Sequence, residues 1–468
     1  MQDFGSLLHT YLKDKHNYSI SAFAKNIGIS AGLLNHIFNG KRTMNPDKFL
    51  LTINSGIFDL EEQNNLRAAY FTGRYGEKDY EKVSVLSELL EKFRFGDAPE
   101  ITDYTDILEK GYGELTERKH VFSALKELFL STENTIYTNI PHANTVINHI
   151  LYKLKKEYPD SRMTRFIPNF SSKFTQRNLV TMFSILRFAK IKVNTVSLEN
   201  VEVEHLDKTT LFPYFVISDR IMIILDSQCK KGVAFTGEII KDKYRITADA
   251  ADTSTKVVHF FPDELTAVNY IINYEDDVIY SLKSTPCFLA LDNLDFLITA
   301  AKDFPNKDEL ISYLINRRSD KQWINFCTQI GLETFLESGK SYELSETYVN
   351  VFSLKARIEF LESLISTMED DLVYHNSFLS RTMVFSSFFD NTDITVYDKS
   401  CLVASVYDAP DEKSFLGEIS IHIPGGELLR IIKKYVSDYL PLCGNILPKH
   451  TALLYLKGLL IDLQIRSE

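Results

Sequence analysis

The chain has 468 residues, a formal charge of −11, 44% hydrophobic and 25% charged residues, so one ordinary core is too small for it and two or three domains are expected. Its 19 glycines and 13 prolines are too few for long disordered linkers, and no apolar run approaches the ~20 residues of a membrane helix. Cys229, Cys287, Cys327, Cys401 and Cys443 are odd in number and never in C-x-x-C spacing, which argues against a disulfide framework and a thiolate zinc site and for reduced, buried thiols.

Met1–Gly5 leads straight into an amphipathic stretch, which predicts a chain without a leader and a cytoplasmic location. Residues 1–75 carry eight basic and six acidic side chains, a net of +2, which leaves −13 on the remainder. A mildly basic segment on an acidic body fits a nucleic-acid module joined to something else.

Five short helices are predicted in 1–75. "FGSLLHTYLKDK" sets Phe4, Leu7, Leu8, Tyr11 and Leu12 on one face. Ser19 caps "ISAFAKNIG", whose Ile20, Phe23, Ala24 and Ile27 face inward, and Gly28 suits the left-handed stop. Ser30 caps "AGLLNHIFNG", which turns Leu33, Leu34, Ile37 and Phe38 to the core and ends at Gly40. "NPDKFLLTINSG" opens with Pro46 in its first turn. "DLEEQNNLRAAYFTG" opens on Asp59 and ends at Gly73.

Ala24, then Gly28 with Ile29, then Leu34 with Ile37 supply a small contact residue, a turn glycine and a locking pair. That is the spacing of a helix-turn-helix. With "IFNGKR" and "MNPDKFLLTI" after it, the segment over residues 3–72 resembles the lambda-repressor/Cro-type, or XRE-class, DNA-binding domain. The resemblance implies that Ser30–Asn39 lies in the DNA major groove and that the following loop touches the backbone.

The residues themselves point the same way. The outward side of that helix reads Ala31, Gly32, Asn35, His36 and Asn39. Asn35 has the amide for a bidentate pair with adenine, and His36 can donate to a base edge or a phosphate. Lys41, Arg42 and Thr43 stand at the exit, suited to phosphate. Backbone N–H groups near Ser19 to Ser21, at the start of the second helix, can also hold a phosphate, and Ser30, at the start of the third, is expected among the DNA-binding residues. Ala31 and Gly32 replace the longer polar side chains of many relatives, so specificity there falls to a thymine methyl contact or to DNA shape. Asn39 suits a DNA role, with ordinary Asn-Gly C-cap chemistry as the alternative. A helix-turn-helix can also serve protein interaction alone.

Residues 76–131 read as a helical connector, with Val83, Leu86, Leu90 and Phe93 near heptad spacing. That stripe suits either a dimer helix or packing on the chain's own body. "FGDAPEITDY" is the expected hinge.

From Thr135 strands alternate with helices, giving a large α/β (α+β) region with a partly parallel sheet. The expected strands include "TIYTNI", "RMTRFIPNF", "KIKVNTVSL", "YFVISDRIMIIL", "KGVAFTGEI", "KYRITAD" and "KVVHFF". Asp219 and Arg220 interrupt the most apolar of these. A faint repeat aligns Asp219 with Asp398 and Glu238 with Glu418, separations of 19 and 20 residues. It divides the region into related halves, 132–300 and 301–468, the second with a helical insertion. Chance alternation around an Asp–basic turn gives the same pattern.

Such two-halved bodies weakly resemble the phospholipase-D-like fold. That family's H-x-K-x4-D motif is missing, "ISDRIMII" and "VYDKSCLV" standing in its place, which implies a body without the catalytic residues. No phosphate-cradling glycine loop and no zinc-binding histidine pair appears. His142 and His149 read as incidental, Trp323 and Cys327 as one face of a core helix, and Gly425–Gly426 as an anion seat or an ordinary turn.

The expected function is a dimeric, repressor-type DNA-binding transcription regulator of bacterial kind. Its partners are double-stranded DNA, a second copy and a small-molecule or peptide effector; no enzyme activity, cofactor, metal or membrane partner is expected. The alternatives are an enzyme or defence-type effector that uses the helix-turn-helix to autoregulate or localise itself, and a protein-binding adaptor.

Overall fold

In a computed structural model, residues 3–92, 112–142, 144–168, 174–198, 214–261, 278–283, 286, 295–302, 307–308, 312, 323–340, 350–370, 374–379, 392–406, 418–443 and 446–467 are described. The expected hinge at 95–104, Phe93 and Cys287 lie outside them.

The N-terminal region is helical. Its elements are α1 (Phe4–Thr10, running on through a π turn to Lys15), α2 (Ile20–Asn26), α3 (Ala31–Phe38), α4 (Pro46–Ile53), α5 (Leu60–Tyr75) and α6 (Glu77–Lys92). Local chemistry sets their ends. Ser19, Ser30 and Asn45 each accept an orphan N–H at the start of α2, α3 and α4. Asp59 and Glu62 complete a reciprocal capping box on α5. That helix runs past Gly73 to Tyr75 and stops at Gly76, whose φ is +80°. Gly73 has open space on every side and no positive φ, so nothing there ends the helix.

The body follows. β1 (Tyr112–Leu115) is a strand within the segment expected to be a helical connector. Then come α7 (Arg118–Ser131), β2 (Ile136–Thr138), α8 (Thr145–Glu157), β3 (Met163–Pro168), α9 (Gln176–Ala189), β4 (Val193–Leu198), β5 (Tyr214–Ile217), β6 (Ile221–Leu225) and β7 (Gly232–Thr236). After α10 (Ile239–Thr253) the chain forms β8 (Thr255–Lys256), β9 (Val258–Phe261), β10 (Val278–Lys283), α11 (Asp295–Ala300), β11 (Trp323–Thr328), α12 (Gln329–Ser338), α13 (Leu354–Asp370) and β12 (Tyr374–Leu379). It closes with β13 (Thr392–Tyr397), β14 (Ser400–Val406), β15 (Glu418–Pro424), α14 (Glu427–Lys434, continuing through a π turn to Tyr439) and α15 (Lys449–Ser467).

The two sheets share one design. The first has the order β1-β7-β6-β5-β2-β3-β4-β8, the second β12-β11-β10-β13-β14-β15-β9. In each, three parallel strands adjoin an antiparallel three-strand meander: β2, β3 and β4 with β5 to β7, and β10, β11 and β12 with β13 to β15. Asp219 and Asp398 both occupy the first hairpin turn of their meander. Glu238 and Glu418 do not correspond, because Glu238 follows the last meander strand and Glu418 begins it. The matching residues are Gly237-Glu238 and Gly426-Glu427, each opening the helix after the meander.

Two expected elements differ. "KYRITAD" is part of α10, where 15 residues wind as a surface helix that buries only Ile240 and Ala251. Trp323 and Cys327 lie on parallel strand β11, flanked by β10 and β12, so their spacing of four reflects a strand. Residues 255–261 stitch the sheets together, since β8 pairs with β4 and β9 with β15. Helix α9, which links β3 and β4 of the first sheet, packs in the same hydrophobic cluster as β13, β14 and β15 of the second sheet.

Candidate nucleic-acid interface

The α2–turn–α3 unit is built from apolar locks. Phe23, Ala24, Ile27, Leu34, Ile37 and Phe38 are buried together with Phe4, Leu8 and Phe49; Leu33, expected in the core, is half-buried at its edge. Gly28 turns the chain at φ +67° and Gly40 at +66°, a region that favours glycine. Gly5 lets α1 cross directly over α3: a Cβ there would stand 2.0 Å from the carbonyl oxygen of Ile37. Helix α3 is therefore seated by backbone-to-backbone contact.

The seat leaves one ridge in solvent. Ser21, Ser30, Gly32, Asn35, His36, Asn39, Lys41, Arg42 and Thr43 are exposed, and Ala31 is half-buried. Asn39 spends its amide as a cap, Nδ2 donating to the Asn35 carbonyl at 2.7 Å. The loop after α3 folds back on the helix end, with the N–H groups of Lys41 and Arg42 on the His36 carbonyl at 2.9 and 3.3 Å. The Lys41 and Arg42 side chains have no ion-pair partner among the described residues, so both charges are available. Sequence reading missed Lys48. Its Nζ sits 3.0 Å from where a Gly28 Cβ would be, which lays a fourth-helix cation over the α2–α3 turn.

A second polar centre braces this unit. Glu62 is buried, yet it receives Lys15 Nζ at 2.8 Å, His16 Nε2 at 2.9 Å and the Asp59 N–H at 2.9 Å. Burial pushes its carboxyl up; the hydrogen bonds from Lys15, the Asp59 amide and His16 outweigh that and hold it below its usual range. The end of α1 is thereby fastened to the start of α5.

The helical region is also fastened to the body. Val83, Leu86 and Leu90 of α6 are buried with Leu428, Ile431 and Ile432 of α14. The heptad-like stripe is spent inside the chain, so it does not serve as a dimer helix. Asp79 takes a two-armed pair from Arg430 and a third bond from Lys434. Lys82 meets Glu427, whose other oxygen accepts the Phe174 N–H at 2.8 Å. Leu442 is buried in the helix-turn-helix core, and Tyr439 lies 4.8 Å from Phe71, ring to ring. The glycine pair at 425–426 opens a helix whose first-turn Glu427 already supplies a negative charge there.

The body offers less. An open groove of about 380 Å³ is lined by Thr132, Asn134 and Arg162 together with three acids, Glu133, Glu157 and Asp160, a balance unsuited to nucleic acid. Among the described residues no group of His, Cys, Asp and Glu is arranged to hold a metal, and no helix is long and apolar enough to cross a membrane. His142 and His149 are both buried.

No family model and no curated protein matches the chain. Among solved structures it is similar to the archaeal chromatin protein TrmBL2, described as showing a novel mode of DNA binding, at 10% identity and TM-score 0.24, over 55% of this chain and all of that one. It is also similar to the phosphatidylserine synthase of Haemophilus influenzae Rd KW20 at 10% identity and TM-score 0.22, over 82% of this chain and 97% of that one. Likenesses this low carry neither activity to the chain.

Proposed function

We propose that the chain is a DNA-binding transcription regulator that reads an operator with α3 and answers to an effector, or to a second copy, through its α/β body. The observation that carries this reading is the solvent-facing ridge of Asn35, His36, Lys41 and Arg42 on a helix whose opposite side is locked into the core. Base edges suit the two polar side chains, and phosphates suit the unpaired cations. Lys48 and the N–H groups near Ser21 extend the phosphate-facing rim. Ser30 holds the start of α3, and Ala31 and Gly32 keep that start slim enough for close approach. The short Thr43 completes the exit loop. A two-fold operator and a homodimer are part of the proposal, since modules of this size bind DNA in pairs.

The clamp between α6 and α14 changes the expected mode of control. A module held by Asp79, Lys82 and Leu442 moves with the body, so an effector acts by shifting how two bodies present their modules. The test is a gel shift of the full chain on the genomic DNA around its own reading frame. Retarded bands that weaken steeply with salt support the reading. The triple variant Asn35→Ala, Lys41→Ala, Arg42→Ala should keep its melting temperature and lose the shift. Undiminished binding by that variant overturns the role of α3.

A further inference from the structure

The core beside the first sheet holds a charge with no carboxylate against it among the described residues. Arg165, the third residue of β3, is fully buried. Its Nη2 donates to the Ile140 carbonyl at 2.6 Å and to Asn148 Oδ1 at 2.7 Å, and its guanidinium lies 4.4 Å over the Phe188 ring. Nε and Nη1 have no hydrogen-bond partner among the described residues. No carboxylate among the described residues pairs with it. Burial alone pulls it down to about 9, still cationic at neutral pH. The nearby Cys229 thiol, pushed up by burial to about 12, is neutral.

His142 lies on the same Phe188 ring, 5.9 Å between centroids. Its Nδ1 is 2.7 Å from Ser184 Oγ, and its Nε2 is buried with no hydrogen-bond partner among the described residues. Burial holds the ring well below its usual range, so it is neutral. The Ser184 hydroxyl can donate to Nδ1 or accept from it; in the tautomer whose Nδ1 accepts, the ring proton sits on Nε2 and offers a second donor. Asn148 fixes the geometry. Its amide donates to the Pro141 and His142 carbonyls at 2.9 and 3.0 Å while its oxygen holds Arg165.

The position also suits a ligand. Arg165 is paired with Thr138, the last residue of β2, so the cluster stands at a carboxyl strand end, beside the first turns of α8. There the parallel strands give way to antiparallel β5. Open α/β sheets bind ligands at carboxyl strand ends where the topology switches. A lone buried guanidinium is costly, and unsatisfied donors in a core call for an occupant.

We propose that Arg165 and His142 form a binding site for a small oxyanion, a carboxylate or phosphate group, which accepts from Arg165 Nη1 and from the Nε2–H of His142. The site stands apart from the DNA reading, and its test involves no DNA, so either can fail alone.

Thermal shift and titration calorimetry on the full chain, with inorganic phosphate and with acetate against chloride at matched ionic strength, test it. A saturable rise in melting temperature with one of the two is expected. A response to acetate alone assigns a carboxylate, and to phosphate alone a phosphate group. Arg165→Met should abolish the response, and His142→Gln, which keeps the volume and the Ser184 contact within reach, should weaken binding about tenfold or more. A native chain that responds no more than to chloride overturns the proposal. So does an unchanged response in either variant; should Arg165→Met not fold, His142→Gln decides.

Discussion

Asp79 and Arg430, 351 positions apart, meet in a two-armed ion pair, with Nη2 of Arg430 2.9 Å from Oδ1 of Asp79. Lys434 adds a third bond to the same carboxylate and lies over the Tyr75 ring at 5.2 Å. The pair joins the helical region to the end of the second α/β half. Asp79→Ala leaves two cations without their acid and should cost about 2 kcal/mol of docking. Amides of α5 and α6 should then exchange with solvent roughly tenfold faster or more. Protection equal to that of the native chain would count against the clamp. The double reversal Asp79→Arg, Arg430→Asp should restore part of it.

The same contacts set a pH dependence. The Arg430 hydrogen bond, with those of Lys434, holds the Asp79 carboxyl well below its usual value of 3.8. Lys82 and the Phe174 amide hold Glu427 below 4.5, and Glu62 is held low by its three donors. A carboxyl with a depressed folded pKa stabilises fully above its unfolded value and loses that contribution as pH falls through the folded one. The docking, and the separate α1–α5 brace at Glu62, should therefore be unchanged from pH 8 to about pH 5 and weaken progressively below about pH 4. Glu62→Gln with Asp79→Asn should flatten that acid limb in melting curves; an acid limb of the same steepness would place the lability elsewhere.

Two glycines should respond with opposite sign. Gly5→Ala puts a methyl 2.0 Å from the Ile37 carbonyl, which α1 and α3 can relieve only by separating. A loss of about 3 kcal/mol is expected. At Gly32 the nearest atom to an added Cβ is Ser30 Oγ at 4.0 Å, and φ is ordinary. Gly32→Ala should stabilise α3 by about 0.5–1 kcal/mol. Chemical denaturation of both variants measures this, and a destabilised Gly32→Ala would contradict the open surface drawn for the start of α3.

What was legible in the sequence was local. Ser19, Ser30, Asp59, Gly28 and Gly40 announce their helix ends because each acts within three or four residues. The hairpin turn common to the two sheets was visible through Asp219 and Asp398, since such a turn keeps its polar residue. The register beyond them was misread: "GEI" recurs by coincidence, while the true match, Gly237-Glu238 with Gly426-Glu427, is shorter. Tyr244 and Ile246 alternate as a strand does, and only the surface around α10 shows a helix carrying them. Asp79 with Arg430, and Arg165 with His142, are products of tertiary placement; neither partner is unusual in its own stretch of chain.

In the proposed DNA complex the ridge divides into residues that hold and residues that read. Lys41 and Arg42, without ion pairs among the described residues, face phosphate in the proposed complex, and each neutralised phosphate contributes about 0.9 to the slope of log affinity against log salt. Lys41→Ala and Arg42→Ala should each lower that slope by about one and weaken all sequences alike. Asn35→Ala should leave the slope unchanged and cost about 1–3 kcal/mol on the preferred operator, with less loss when the contacted adenine is replaced. Asn39→Ala removes the bond to the Asn35 carbonyl and should act through the helix end, lowering the melting temperature before it changes base preference. Binding measured over 50–200 mM salt, on operators substituted one base pair at a time, separates the roles. A base preference unmoved by Asn35→Ala would transfer readout to His36 or to the shape of the DNA.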